Sequence, residues 1–427
     1  MGLGSIVGTG LFVSLGIATG VVGDGILFAL PLAALLALCN GLSSAQLAAA
    51  HPVSGGTYEY GYRFLNPTLG FTAGWMFLVA KGASAATAAL GLAGYGLLLF
   101  GVEARTVLLI ALGGGGVVVL TLLLLGGIRQ SNRANLLIVG ATLGILALFL
   151  AVGLPDGVRG LFERREGLGM EISAGGWGPT FHATALLFVA YTGYGRIATL
   201  GEEVHDPART IPRAIWITLA AVAFLYMAVA VVALGTIGPD AFARATAETA
   251  APLREVAEGL AMPGLGILIG IAAVTAMLGV LLNLLLGLSR VALAMGRRGD
   301  LPVPFGSVHQ ESRTPRVAII GVAAAILLLV LTGDVSTTWS FSAFTVLIYY
   351  GVTNLAALRL PPEARRYPRW VAVAGLVGCL FLAFQVEMGI WGVGVGLLVG
   401  GLVLRALLRR GRTGGPPEPP SPEHRNG

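Results

Sequence analysis

Phe188-Val189-Ala190-Tyr191-Thr192-Gly193-Tyr194-Gly195-Arg196 lies within an apolar run, yet carries two glycines, two tyrosines and a charge. A second stretch behaves alike: in Gly2-Leu3-Gly4-Ser5-Ile6-Val7-Gly8-Thr9-Gly10-Leu11-Phe12, Gly8 and Gly10 flank a threonine. Each glycine in a helix interior costs about 1 kcal/mol relative to alanine, so their presence in mid-span asks for a reason. Close packing is one, because Gly4 and Gly8 have the GxxxG spacing that lets helix backbones approach. An unwound segment is the other, because its free N–H groups and half-helix N-terminus can hold an anion such as a carboxylate. A dinucleotide-binding loop is excluded: no βαβ unit surrounds the glycines and the order is not GxGxxG. Paired interruptions at corresponding positions of two halves point to a transport site, which favours binding for both stretches. The halves share no readable identity, so the correspondence rests on spacing.

Working outward, twelve apolar runs can cross about 30 Å of hydrocarbon at about 1.5 Å per residue. They lie near 2–23, 25–50, 69–100, 106–126, 134–154, 180–200, 212–237, 263–289, 316–332, 336–358, 370–386 and 388–404. Hydrophobic residues fill 56% of the 427 positions and charged ones 11%, against about 25% charged in a soluble domain. The expected fold class is an all-α polytopic membrane protein of 12 transmembrane helices. One transmembrane domain is expected over 1–411. The tail at 412–427 is rich in Pro, Gly and charge and is expected to be disordered. The segments 155–179 and 238–262 are expected to carry short surface helices.

Orientation follows from the basic residues, which favour cytoplasmic loops. With the N-terminus inside, the inner loops and the tail hold 19 arginines, among them Arg63, Arg209, Arg290, Arg298 and Arg405. The outer loops hold six: Arg105, Arg159, Arg164, Arg165, Arg244 and Arg254. Both termini are therefore expected in the cytoplasm. Of 27 basic residues 26 are arginine, and Ala, Gly and Leu dominate elsewhere, which suggests GC-rich bacterial coding and a bacterial cytoplasmic (inner) membrane. Topology accounts for the net charge of +6, and nucleic acid is not an expected partner. Met1 leads straight into an apolar run, so no cleavable signal peptide is expected. Cys39 and Cys379 form no CxxC pair and are expected to pack. His51, His182, His205, His309 and His424 share no metal-ligand spacing on one helix, and no metal site is assigned.

Two further features carry charge. Gly201-Glu202-Glu203-Val204-His205-Asp206-Pro207-Ala208-Arg209-Thr210-Ile211-Pro212-Arg213 pairs acids with bases, and Pro212 is expected to start the next helix. Glu202 and Glu203 fit a salt-bridged gate or a helix junction better than catalysis, because no nucleophile or metal ligand accompanies them. Lys81 is the single lysine and falls within the third span. An ammonium at mid-bilayer costs roughly 2.5–3.5 kcal/mol on insertion scales. A lysine removed from water loses preference for its charged form and can exchange a proton near neutral pH. Lys81 is thus read either as a coupling charge or as a structural lysine that reaches the backbone of an unwound helix.

The string Phe188 to Glu203, with Pro207, Arg209, Ile211 and Pro212, resembles the amino acid–polyamine–organocation permeases, closest to their cationic amino acid transporter-like branch. Gly4 through Val13, Pro52-Val53-Ser54-Gly55-Gly56-Thr57-Tyr58 with Gly74-Trp75, Ser289-Arg290 through Met295, Gly299-Asp300-Leu301-Pro302 and Thr314-Pro315 agree. The resemblance covers residues 1 to about 360, and the last two spans are generic. It implies a five-plus-five inverted repeat with helices 1 and 6 broken, over about 1–154 and 180–358, plus two C-terminal helices at about 370–404. It implies alternating access, a substrate carboxylate on the backbone around Ser5, Ile6, Gly8, Thr9 and Gly10, and an amino group at carbonyls around Tyr191, Gly193, Tyr194 and Gly195. Tyr194 takes the bulky gating position.

The chain also departs from the family. The fifth-helix lysine that stands in for sodium in some members is here Thr142, a spacer or a sodium ligand; Lys81 is expected to supply the missing charge. Gly195 replaces a common acid and Arg196 a small residue, which disfavours a cationic substrate unless Arg196 faces the gate and pairs with Glu202 or Glu203. Members carry a cytoplasmic leader before the first helix; here seven residues precede Gly8, so a short first half-helix is expected.

The expected function is secondary transport of amino acids or related amines, by symport or exchange, in a monomer or weak homodimer within the lipid bilayer. Proton coupling is favoured, sodium is the alternative, and no cofactor is implied. A membrane enzyme would need a nucleophile–base pair or metal cluster within the spans. A sensor would bind amino acids without accumulating them. An ATP-driven pump would need a phosphate loop of the GxxxxGK[ST] type, which is absent.

Overall fold

The computed structural model describes residues 8–53, 55–127, 132–164, 176–198, 207–309 and 314–410. Within them the chain is helical and has no strand. In order, the helices are α1 Thr9–Phe12, α2 Ser14–Val22, α3 Ile26–Ala50, α4 Thr57–Phe64, α5 Pro67–Leu99, α6 Thr106–Leu125, α7 Asn132–Glu163, α8 Trp177–Tyr191 and α9 Gly195–Ala198. They continue as α10 Pro207–Thr236, α11 Pro239–Thr249, α12 Pro252–Glu258, α13 Leu265–Arg298, α14 Arg316–Val330, α15 Val335–Leu358, α16 Arg369–Ala383 and α17 Met388–Arg410.

Among the described residues eight helical segments are long and apolar enough to cross a membrane, the first being the stretch from Thr9 to Ala50, and α14 and α16 are shorter apolar helices. The chain is therefore a multi-spanning membrane protein. Several boundaries differ from expectation. The eighth apolar run continues as helix to Arg298, nine residues beyond 289, where Gly299 in the left-handed conformation (φ 80°) caps it. The helix expected to begin at Pro212 begins at Pro207, and Pro212 sits inside it; either proline suits a first turn, whose N–H groups lack intrahelical partners. The last helix runs past 404 to Arg410. Short helices α11 and α12 occupy the 238–262 segment as expected.

α5 and α15 are the most enclosed spans, while α7 and α17 mostly face outward. In lipid, helices associate through close packing and buried polar contacts rather than hydrophobic drive, and α5 and α15 show both. Ser84 and Ser342 share a hydrogen bond of 2.8 Å, as do Thr87 and Thr338. α4 seats on the same pair: the Thr57 and Thr353 hydroxyls lie 2.8 Å apart. Helices α7 and α10 touch backbone to backbone at Gly157 and Gly235, where a Cβ on Gly235 would lie 1.9 Å from the Gly157 carbonyl oxygen. Gly140, earlier on α7, has open space around it. Gly235→Ala is expected to cost about 1–3 kcal/mol by overpacking and to lower the midpoint of thermal unfolding in detergent. Gly140→Ala should leave the midpoint unchanged or raise it, and equal midpoints for the two variants would contradict this crossing.

Candidate functional site

The first interruption begins at Gly8, the first of the expected residues Gly8-Thr9-Gly10. Gly8 is extended (φ −170°) and caps α1, so Thr9 and Gly10 are already helical. The α1 helix lasts four residues before Val13 (φ −129°) breaks it. The Leu11 and Phe12 N–H groups both bond to the Gly8 carbonyl, while the Thr9 and Gly10 N–H groups, at the start of the turn, have no backbone partner among the described residues. The break exposes carbonyls, and nearby groups collect them: the Tyr95 hydroxyl donates to the Phe12 oxygen at 2.9 Å, and the Ser14 hydroxyl donates to the Gly10 oxygen. Thr9 is buried, and its hydroxyl has no hydrogen-bond partner among the described residues. Ser5 and Ile6 lie outside the described residues.

The second interruption shifts. Helix α8 ends at Tyr191, Thr192–Tyr194 form one 3-10 turn, and Gly195 already opens α9. The expected centre at Gly193-Tyr194-Gly195 thus moves toward the N-terminus, because the Thr192 hydroxyl turns back onto the Val189 carbonyl at 2.6 Å and offers the backbone an alternative to the regular helix. The Tyr226 hydroxyl donates to the Ala190 oxygen at 3.1 Å, and Tyr350 donates to the Thr192 oxygen at 3.3 Å. Tyr194 is buried against Tyr350, ring centroids 5.6 Å apart.

The fold brings the two breaks together. A Cβ on Gly10 would lie 3.0 Å from the Ala190 Cβ and 2.6 Å from the Tyr226 hydroxyl. A Cβ on Gly8 would lie 2.6 Å from Val280 on α13. These two glycines therefore serve close approach, and they do so at the breaks, so the packing and unwinding readings describe one place.

Lys81, on α5, reaches the second break and donates to the Thr192 hydroxyl at 2.7 Å. Arg196 donates to the Asn283 amide oxygen on α13 at 2.9 Å. Thr142 is buried on α7 and bonds the Ile138 carbonyl of its own helix at 2.9 Å. Glu202 and Glu203 lie outside the described residues. Among the described residues no group of three or more His, Cys, Asp or Glu could hold a metal.

Sequence reasoning missed two groups of residues. The tyrosines whose hydroxyls donate to carbonyls at the breaks (Tyr95, Tyr226 and Tyr350) look like ordinary core residues in their own spans. In the sequence Arg405 counts among the inner-side arginines and Asp300 figures only within the matching stretch Gly299-Asp300-Leu301-Pro302, yet both are buried. The available signal was Arg405 itself, set within an apolar helix one turn before Arg409.

Comparison with known proteins agrees in kind. A family model described as amino acid permease matches residues 1–404. An uncharacterized transporter of Mycobacterium tuberculosis is 39% identical over 96% of this chain and 91% of its own length. A branched-chain amino acid permease of Bacillus subtilis is 28% identical, covering 90% of this chain and 85% of the relative. A cationic amino acid transporter of Arabidopsis thaliana is 25% identical over 84% of this chain and 60% of the relative.

A Cβ on Gly195 would meet the Tyr350 hydroxyl at 2.8 Å and press it off the Thr192 carbonyl. Gly195→Ala is expected to destabilise the fold by about 1–3 kcal/mol. Adding Tyr350→Phe, which removes the crowded oxygen, should return most of that loss in the same thermal unfolding measurement. A double variant no better than the single would contradict the contact.

Proposed function

The chain belongs to the amino acid permease family, and from that membership we propose that it is a secondary active transporter of amino acids or related amines, working by alternating access. The observation that carries the reading is the meeting of two broken helices at Gly10 and Ala190, with Lys81 bonded into the second break. Binding at a broken helix needs free backbone groups of both signs. The first turn of α1 offers N–H groups beside the unpartnered Thr9 hydroxyl, suited to an α-carboxylate. Carbonyls at the end of α8, around Tyr191, Gly193 and Tyr194, suit an amino group. Twelve spans, arranged as two five-helix repeats at about 1–154 and 180–358 with two further helices at about 370–404, give this site its frame. The arginine bias of the loops supports both termini on the cytoplasmic side of a bacterial inner membrane.

Coupling falls to Lys81. It is the only lysine, it lies in a span where ammonium groups are costly, and its position at the second break places any change in its charge beside the substrate. A proton is therefore the favoured coupling ion, in symport or exchange. Sodium is the second reading, carried by the unpartnered oxygen of Thr9. Arg196 beside the second break disfavours cationic substrates.

The test is a thermal-shift screen of the purified protein against the amino acids, at two pH values and with or without sodium. A ligand at 100 times its Kd raises stability by about 2.7 kcal/mol. Uptake into proteoliposomes then separates transport from sensing, because a sensor binds without accumulating. Lys81→Met is expected to abolish uptake driven by an inward proton gradient while the protein still reaches the membrane. Unchanged pH dependence in that variant would remove Lys81 from coupling, and a sodium requirement in wild type would favour the second reading.

A further inference from the structure

Asp300 is fully buried, and several charged and polar side chains converge on it. The Arg405 Nε lies 3.0 Å from Oδ1, and the Arg409 guanidinium lies 3.6 Å from the same oxygen. The Tyr58 and Tyr62 hydroxyls donate to Oδ2 at 2.9 and 2.5 Å. The remaining nitrogens of Arg405 reach the Tyr62 hydroxyl and the Thr68 hydroxyl, both at 3.3 Å. Arg298 covers the same two tyrosine rings at 5.0 and 4.2 Å and pairs with Glu59 at 2.9 Å. One carboxylate thus joins the ends of α4, α5, α13 and α17. From α4 the connection runs on to α15. Thr57 holds Thr353, its N–H lies 3.4 Å from the Tyr349 hydroxyl, and the neighbouring Tyr350 holds the Thr192 carbonyl.

The contacts in this hub differ in kind from those at the helix breaks. A buried carboxylate stripped of its arginine is among the costlier defects a protein can carry, so such a pair is unsuited to opening at every turnover. At the breaks two acceptors are neutral: a threonine hydroxyl for Lys81 and a backbone carbonyl for Tyr350. Water or a ligand can replace those bonds at little net loss. We infer that Asp300 and Arg405 are positioning residues that weld α4, α5, α13 and α17 into a permanent frame. The last helix is then a required part of the transport machinery, and the broken helices move against that frame. This rests on the transporter reading above.

The frame is tested by bridging it. Trp75→Cys and Leu397→Cys lie outside the hub on two of its helices, α5 and α17, where the Trp75 Nε1 bonds the Leu397 oxygen at 2.9 Å, and the natural Cys39 and Cys379 are buried. Joined by a short reducible bifunctional thiol reagent in proteoliposomes, the double-cysteine protein is expected to keep most of its uptake. Uptake lost on bridging and regained on reduction would overturn the frame. Asp300→Asn and Arg405→Gln should each lower the uptake rate per folded molecule roughly tenfold with KM little changed, and the double variant should be no worse than the poorer single. Singles at the wild-type rate, or strictly additive losses, would also overturn it. Should either single fail to fold, Arg405→Lys, which keeps the charge but loses the fork, is expected to fold and to show the same loss of rate in weaker form; a wild-type rate there overturns the proposal. Amino acid binding and uptake by wild type separate the two levels. A wild type that does neither removes the transporter reading, whereas a wild type that transports while the bridge or the variants fail removes the frame alone.

Discussion

A helix that breaks inside a bilayer frees carbonyl and N–H groups where no water can receive them, and each unsatisfied group costs several kcal/mol. Much of the interior is arranged around that constraint. The Phe12 oxygen goes to Tyr95, the Ala190 oxygen to Tyr226 and the Thr192 oxygen to Tyr350. The receivers are mostly tyrosines because a tyrosine presents an apolar ring to its neighbours and a single hydroxyl at its tip. Among the described residues the Thr9 hydroxyl is left without a partner, and the proposed function assigns it, with the first N–H groups of α1, to the substrate.

Tyr95 shows how far this reaches. Its hydroxyl gives its hydrogen to Phe12 and accepts the Leu253 N–H at 3.1 Å. One side chain on α5 thus supports both the break after α1 and the start of α12. The same economy holds at Thr57, whose hydroxyl and N–H both face α15. Such shared groups tie α12 and α4 to the spans that flank the breaks.

The membrane class and the approximate place of both breaks were legible because composition and glycine placement are local properties. The exact break points were not. Glycine marks where a helix is weak, but the bend occurs where another bond competes, at Val13 behind Ser14 and at Thr192 behind its own hydroxyl. Lys81 was legible as unusual, since a lone lysine in a span needs a reason; its partner Thr192 lies 111 residues away in the chain and nothing local announces it. Asp300 and Arg405 were missed for the same cause. An arginine near a helix end obeys the topology rule whether it faces lipid headgroups or a carboxylate 105 residues earlier, and only the fold decides.

The Thr192 hydroxyl gives its one hydrogen to Val189 and receives an N–H from Lys81. Its orientation is therefore settled from within its own helix, and the lysine can only be a donor to it. An amine retains N–H groups after it gives up a proton, so the tether between α5 and the second break survives either charge state. A change of charge at Lys81 then alters the local field while leaving the mechanical link in place. Release of the break must come from water, substrate or neighbouring helices competing for the threonine oxygen, which makes electrical state and attachment two separate variables at a single side chain.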